Sequence, residues 1–268
     1  MDNLLDRYGP CALVTGASSG IGEAYARQLA SEGFDLVLVA RRKDRLEALV
    51  AELREACAIE IDILVIDLGR PDFIEELTKG CQGKDIGLLI SNAGSGAKGA
   101  FDETPLAKKL ALIDLNCRAH LILADEFIPR FKQRGGGGLI ITSSIEATIG
   151  FPHSATYAAS KAFAASLGEG LWGELDGTGV DVLVLEPGAT DTETLPDQGM
   201  NAEDMSGLMQ PAEVASIALE KLGHGPVVVA GGMNRVMVRV LSLLPKGFAI
   251  RMVGKGIRDA IEKGRGRV

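Results

Sequence analysis

Seven short apolar runs recur along the chain, at 12–15, 36–40, 62–66, 88–91, 139–142, 180–185 and 227–230, each rich in Val, Ile or Leu. None alternates strictly with polar residues, so each suits a strand buried on both faces of a parallel sheet. Between them lie stretches that read as helices, at about 22–31, 45–56, 73–79, 106–134, 155–176 and 212–222. Strand and helix alternating from end to end predict right-handed βαβ crossovers and a doubly wound α/β sheet. No repeat, low-complexity segment or linker divides the chain, and Gly135-Gly136-Gly137-Gly138 is too short to separate domains. One domain over 1–268 is expected, with a seven-stranded parallel sheet flanked by helices.

Composition changes this picture little. Hydrophobic residues make up 46 % of the 268 positions and aromatics only 4 %, so the core is built from Ala, Val, Leu and Ile. A net charge of −8 argues against nucleic-acid binding. The charge is uneven: from residue 235 nine basic residues face two acidic ones, a tail of +7 that leaves −15 on the body. Cys11, Cys57, Cys81 and Cys117 form no C-x-x-C pair, and Cys11 and Cys117 read as small core residues. Three histidines without ligand spacing give no metal signal. The amino terminus shows no basic segment leading into an apolar one, and no uncharged run reaches membrane-spanning length. A cytoplasmic protein is expected.

The first predicted strand runs into Thr15-Gly16-Ala17-Ser18-Ser19-Gly20-Ile21-Gly22, followed directly by a helix. Glycines at 16, 20 and 22 allow a tight turn, close approach of main chain to a ligand, and close helix–strand packing. The helix amino terminus then offers free N–H groups and a favourable dipole to a pyrophosphate. An ordinary βα turn is the plainer reading, but the strand-to-helix context is the one a dinucleotide site requires.

Farther on, Tyr157 and Lys161 stand four residues apart on a predicted helix, which puts phenol and ammonium on one face. A phenol titrates near pH 10, and a nearby cation lowers that value. Alone, the pair equally describes a half-buried aromatic beside a solvated lysine.

Together these motifs resemble the short-chain dehydrogenase/reductases of the single-domain type. The carriers are T-G-x-x-x-G-x-G at Thr15 to Gly22, Asn92-Ala93-Gly94, and Y-x-x-x-K at Tyr157 to Lys161, in that order. Ser91 departs from the family, which usually has a further asparagine there. The resemblance covers about residues 10–230 and implies a Rossmann-type fold and hydride transfer between a nicotinamide and a carbonyl or secondary alcohol. It implies Asn116, Ser144, Tyr157 and Lys161 as the catalytic set, with Ser143 competing for the serine's place. Tyr157 serves as general acid/base, Ser144 holds the carbonyl, Lys161 lowers the tyrosine pKa and holds the ribose, and Asn116 holds a water. Cofactor contacts are implied for Gly16, Ser18, Ser19, Gly20, Ile21, Gly22, Asp67, Leu68, Asn92, Ala93, Gly94, Tyr157, Lys161, Pro187, Gly188 and Thr192.

At the end of the second strand, Arg41 and Arg42 stand where a carboxylate would bind the ribose hydroxyls of NAD. Their guanidinium forks suit a 2′-phosphate instead, so NADP(H) is expected in preference to NAD(H). A solvated basic helix start is the alternative.

Residues 190–210, with Gly199, Gly207 and several polar side chains, read as a substrate-covering segment or a simple surface loop. His153 and Glu146 either line the substrate pocket or lie on the surface. The tail at 234–268 reads as two short basic amphipathic pieces broken by Pro245. Packing against the acidic body or a partner subunit is the favoured reading, with peripheral membrane contact the other. Such a tail resembles those of reductases acting on hydrophobic or lipid-like carbonyls. A small-molecule substrate and a homodimer or homotetramer are expected. A rival is an NADP(H)-binding regulator without turnover, which has no need of an intact Tyr157 and Lys161. A sugar-nucleotide epimerase or dehydratase would need a larger carboxy-terminal domain.

Overall fold

A computed structural model describes residues 4–193 and 207–265. Seven strands form one parallel sheet: β1 (Cys11–Thr15), β2 (Asp35–Ala40), β3 (Ile61–Val65), β4 (Ile86–Ser91), β5 (Gly137–Thr142), β6 (Val180–Glu186) and β7 (Val227–Val229). Their order is β3-β2-β1-β4-β5-β6-β7, with every neighbour pair parallel. After a short α1 (Leu4–Tyr8), the crossovers are α2 (Gly20–Ser31), α3 (Lys43–Ala56), α4 (Phe73–Gly80), α5 (Leu106–Ile113), α6 (Ala119–Arg134), α7 (Ala155–Glu174) and α8 (Pro211–Lys221). Two helices close the described chain, α9 (Gly232–Leu243) and α10 (Lys246–Arg265).

Alternate strand residues feed two separate cores, because side chains leave a strand on alternate faces. Leu36 and Leu38 join Tyr25 and Leu29 of α2, Leu46 of α3 and Val214 of α8 on one face. Val37 and Val39 join Phe73 of α4, Phe127 and Phe131 of α6 and Ala164 of α7 on the other. Phe127 and Phe131 are fully buried, worth roughly 1.5–3 kcal/mol each. Both faces are covered, which explains why the strands carry no polar alternation. This is the expected seven-stranded, doubly wound Rossmann-type fold. Strand order reverses between β1 and β4, and the crevice at their carboxyl ends is where such folds bind ligands.

Three elements differ from expectation. The helix read over 106–134 is interrupted by a π-helical turn at Asp114–Arg118. One inserted residue turns Asn116 inward, where its Oδ1 accepts from Ser95 N and its Nδ2 donates to Ser95 O, both at 2.9 Å. Apolar periodicity runs through the insertion and gives no sign of it. The second difference is α1, which is anchored by Arg7 and Tyr8 on Asp181 of β6, each at 2.7 Å. Last, α10 is a 20-residue helix rather than a short piece.

The tail packs on the body. Leu241 and Ala249 are buried with Phe151 and Ala158, and Gly254 lies against Pro152, so α9 and α10 brace the segment between Ser144 and Tyr157. All four cysteines are free, and Cys11 and Cys117 are buried as read from the sequence. Among the described residues no helix is long and apolar enough to cross a membrane, and no metal-ligating cluster occurs. Of the expected covering segment, residues 194–206 lie outside the described residues.

Candidate active site

Asn92 organises the crevice from the floor. Thr15 Oγ1 donates to Ile90 O (3.0 Å) and accepts from the N–H groups of Asn92 (2.9 Å) and Ala93 (3.1 Å). The Asn92 amide bridges Thr15 O (3.2 Å) and Thr142 Oγ1 (3.2 Å), tying the ends of β1, β4 and β5 together. The glycine loop lies directly on this grouping. Gly16 has φ +70°, and a Cβ there would stand 3.0 Å from Ala93 Cα. A Cβ on Gly22 would collide with the Gly16 carbonyl. Ser18, Ser19, Gly20 and Ile21 complete the loop and open α2, with Gly20 against Thr192. Only glycine fits both positions, so the backbone presents an open cradle at a helix amino terminus, the shape a pyrophosphate needs.

At the end of β2 the two arginines part company. Arg42 Nη2 donates to Ser18 Oγ (3.1 Å) and Ser19 Oγ (2.6 Å), reaching the loop, whereas Arg41 is exposed and makes no side-chain hydrogen bond among the described residues. Arg45, which no sequence motif marks, joins the cluster: Arg42 and Arg45 both pair with Glu193, at 2.7 and 2.9 Å. Their i, i+3 spacing at the start of a helix was the available signal. Asp67, after β3, accepts from Gly69 N (3.0 Å), and Leu68 is buried beside it.

Ser144 follows β5 and Tyr157 stands in the first turn of α7. The Ser144 side chain acts on the Tyr157 phenol and favours its ionised form. Ser143 Oγ points elsewhere, donating to Lys161 O at 2.7 Å. Lys161 is 4 % exposed, and its Nζ donates to Thr142 O at 2.9 Å. Burial depresses its pKa to about 8. Asn116 Nδ2 also donates to Ser160 Oγ (3.0 Å), and Gly94 faces both Asn116 Oδ1 and Lys161 Nζ, 3.2 Å from where its Cβ would be. The four expected catalytic side chains therefore converge at one place.

The net balance at the phenol runs upward. The Tyr157 pKa is raised, first by burial and then by the Glu146 carboxylate, with Ser144 opposing. Four-residue spacing sets the two side chains on one face, but the ammonium turns toward β5 and lies 5.8 Å from the ring centre. Ser91 also gains an explanation: its Oγ bonds His120 Nδ1 at 2.6 Å, in a buried pair. Burial, then the charge of Lys161, push the His120 pKa down to about 3, so the ring is neutral.

Pro187 and Gly188 follow β6, with Pro187 O accepting from Ile145 N (3.1 Å) and Gly188 packed on Asn234 of α9. Glu186, buried beside them, has its pKa raised to about 7 by burial and then by Glu169. A groove of about 590 Å³ lined by Thr78, Gln82 and Arg130 lies beside the turn entering β4, at the other end of the strands. Concavity alone therefore does not mark the site.

A Rossmann-type sheet with a glycine cradle and a Ser-Tyr-Lys grouping at its carboxyl edge defines a class of nicotinamide oxidoreductase. The chain belongs to the short chain dehydrogenase family, whose model matches residues 10–202. It is 32 % identical to a 7β-hydroxysteroid dehydrogenase of Clostridium sardiniense over 94 % of this chain and 97 % of that one. A solved 7β-hydroxysteroid dehydrogenase superposes with a TM-score of 0.87 at 30 % identity, covering 94 % of this chain and 99 % of the other. A short-chain dehydrogenase from Sphingobium yanoikuyae in complex with NADPH gives 0.79 at 33 % identity, over 89 % and 97 %.

Proposed function

We propose that this protein is an NADP(H)-dependent oxidoreductase that interconverts a bulky hydrophobic ketone and its secondary alcohol. The observation that carries the reading is the convergence of Asn116, Ser144, Tyr157 and Lys161 beside the β1/β4 crevice. The glycine cradle holds the pyrophosphate, Asp67 and Leu68 the adenine, and Pro187, Gly188 and Thr192 the nicotinamide amide. Arg42, with Ser18, Ser19 and Arg45, offers a 2′-phosphate two guanidinium groups and two hydroxyls. The similarity to a protein bound to NADPH supports the same preference. When bound, the nicotinamide supplies or accepts the hydride.

Tyr157 Oη gives its proton to the carbonyl oxygen, and Ser144 Oγ adds a second hydrogen bond to that oxygen. A phenol held above its ordinary pKa is protonated at neutral pH, which suits the reductive direction. Lys161 would hold a ribose hydroxyl of the cofactor, and below its pKa of about 8 it carries its charge beside Tyr157. Hydroxysteroid dehydrogenases among the relatives support a substrate of steroid size. Exposed Leu106, Leu110, Leu121, Phe163 and Trp172 on α5 to α7 support the expected homo-oligomer, which light scattering checks.

The deciding experiment follows NADPH oxidation against ketosteroids, aldehydes, 3-oxoacyl thioesters and diketones, in the parent protein and in Tyr157→Phe. Turnover should fall about 10²–10⁴-fold in the variant with NADPH binding intact. Undiminished turnover would remove Tyr157 from the chemistry, and equal affinity of the parent for NADH and NADPH would remove the cofactor preference.

A further inference from the structure

Beside Ser144, Tyr157 and Lys161 lies a second charged grouping that proton transfer does not consume. Lys98 Nζ donates to Glu146 Oε1 at 2.8 Å, with the two side chains only 8 % and 13 % exposed. Ser154 Oγ donates to the other carboxylate oxygen at 2.6 Å. Through its main chain, Glu146 N donates to Ser144 Oγ at 3.2 Å. One residue thus touches three segments: the loop after β4, the Ser144 turn, and the residue that opens α7.

The attachment is doubled at the next position, where Gly99 N donates to His153 O at 2.8 Å. His153 holds φ +62°, a left-handed conformation that is uncommon outside glycine and that aims its carbonyl at this loop. An ion pair so far removed from water is a poor device for stability alone, because desolvating both ions offsets their attraction. Its position points to another use.

We propose that Glu146 is a positioning residue for Tyr157, clamping the loop after β4 and the first turn of α7 to the Ser144 turn and placing a negative charge beside the phenol. This rests on the reading of Tyr157 as the proton donor. Facing Tyr157 are Glu146 from the Ser144 turn and Lys161 from its own helix. Facing Glu146 are Lys98 and Ser154. The tail helices contribute Leu241, Ala249 and Val253 to the adjoining packing, all uncharged. The carboxylate therefore opposes loss of the phenolic proton, and Lys98, paired with it at 2.8 Å, offsets part of its charge. A higher pKa keeps the phenol in the protonated form that ketone reduction starts from, at the cost of a weaker acid, and leaves less phenolate to take a proton from an alcohol.

The test uses Glu146→Gln, which keeps an acceptor for Lys98 and Ser154 but removes the charge. The pH profile of alcohol oxidation should move about one unit toward acid, so that its kcat at neutral pH rises about threefold or more. Lys98→Met, leaving Glu146 uncompensated, should move the profile the other way. Ser154→Ala should slow both directions without displacing it. NADPH binding should stay unchanged in all three, and ultraviolet titration of the phenolate without cofactor, blanked with Tyr157→Phe, should show the same order of acidity.

Opposite displacements are outside the reach of a merely structural clamp. If Glu146→Gln and Lys98→Met both superimpose on the parent while Tyr157→Phe is inactive, the role of Glu146 is overturned and the tyrosine assignment stands. If Tyr157→Phe still turns over, the underlying reading fails instead. Should Glu146→Gln not fold, Lys98→Met and the phenolate titration decide the matter.

Discussion

The Arg42–Glu193–Arg45 cluster and the Lys161–Tyr157 centre stand at the carboxyl edge of the same sheet, one open to water and the other built on a buried ammonium beneath a half-buried phenol. Side chains of the first are 44 %, 44 % and 53 % exposed, whereas Lys161 is 4 % exposed and has no carboxylate partner among the described residues. In water a guanidinium–carboxylate pair gains little, about 0–1 kcal/mol, and salt screens it. Inside the protein a lone ammonium loses its hydration and gains the Thr142 carbonyl and the face of the Tyr157 ring in return. Recognition of a phosphate is therefore placed where charge is cheap and adjustable. The proton chemistry is placed where charge is costly and strongly felt.

Lys161→Met should break the buried centre most severely. Turnover should fall about 10²-fold or more, because Tyr157 loses its fixed cationic neighbour. Stability should move the opposite way. A lysine whose pKa is lowered on folding, here to about 8, binds fewer protons folded than unfolded between that value and its ordinary one. Its charged form is penalised in the fold, fully so below pH 8, and the penalty fades as pH rises through the unfolded value. The variant should thus be more stable at pH 7, by up to about 3 kcal/mol less the lost hydrogen bond, and the difference should shrink toward pH 10. Denaturant melts across that range check the sign. A variant less stable at pH 7 would mean that burial of Lys161 is not the strain described.

The open region should respond in affinity rather than in folding. Arg42→Ala should weaken NADPH binding about 10–100-fold, since it removes charge-assisted bonds to a phosphate as well as the contacts to Ser18 and Ser19. NADH binding should barely change. Arg45→Ala, whose one side-chain bond among the described residues is to Glu193, should cost about threefold, and both effects should diminish as salt is raised. Equal losses for NADH and NADPH would show that the cluster supports the glycine loop instead of reading the phosphate.

The sequence shows the two regions unequally. Strand runs, the glycine loop and Y-x-x-x-K are local patterns, and each appears where its spacing says, because a parallel sheet covered on both faces leaves a plain apolar signature. The π-helical turn at Asp114–Arg118 is invisible, since it answers to Ser95 and Ser160, 21 and 44 residues from Asn116. Arg41 and Arg42 look alike in the chain; only the path of the backbone at the end of β2 turns one toward Ser18. The direction of the Tyr157 shift is equally out of reach. It depends on burial and on Glu146, whose place beside the phenol comes from a turn rather than from helical spacing.

Glu193→Gln should give the smallest effect on folding. The Glu193 carboxylate is held below its usual pKa range, first by its hydrogen bond to Arg42. Because the group is exposed, that attraction is shared with water, and removing its charge should alter stability by no more than about 0.5 kcal/mol at moderate salt. Arg42 keeps its hydroxyl contacts in either case. A small change here beside a large one at Lys161 would locate the energetic cost of this fold in its buried centre. A loss well above 1 kcal/mol, persisting in high salt, would show that the bridge between Arg42 and Arg45 is a structural element of the loop edge, and that exposure is the wrong criterion for separating the two regions.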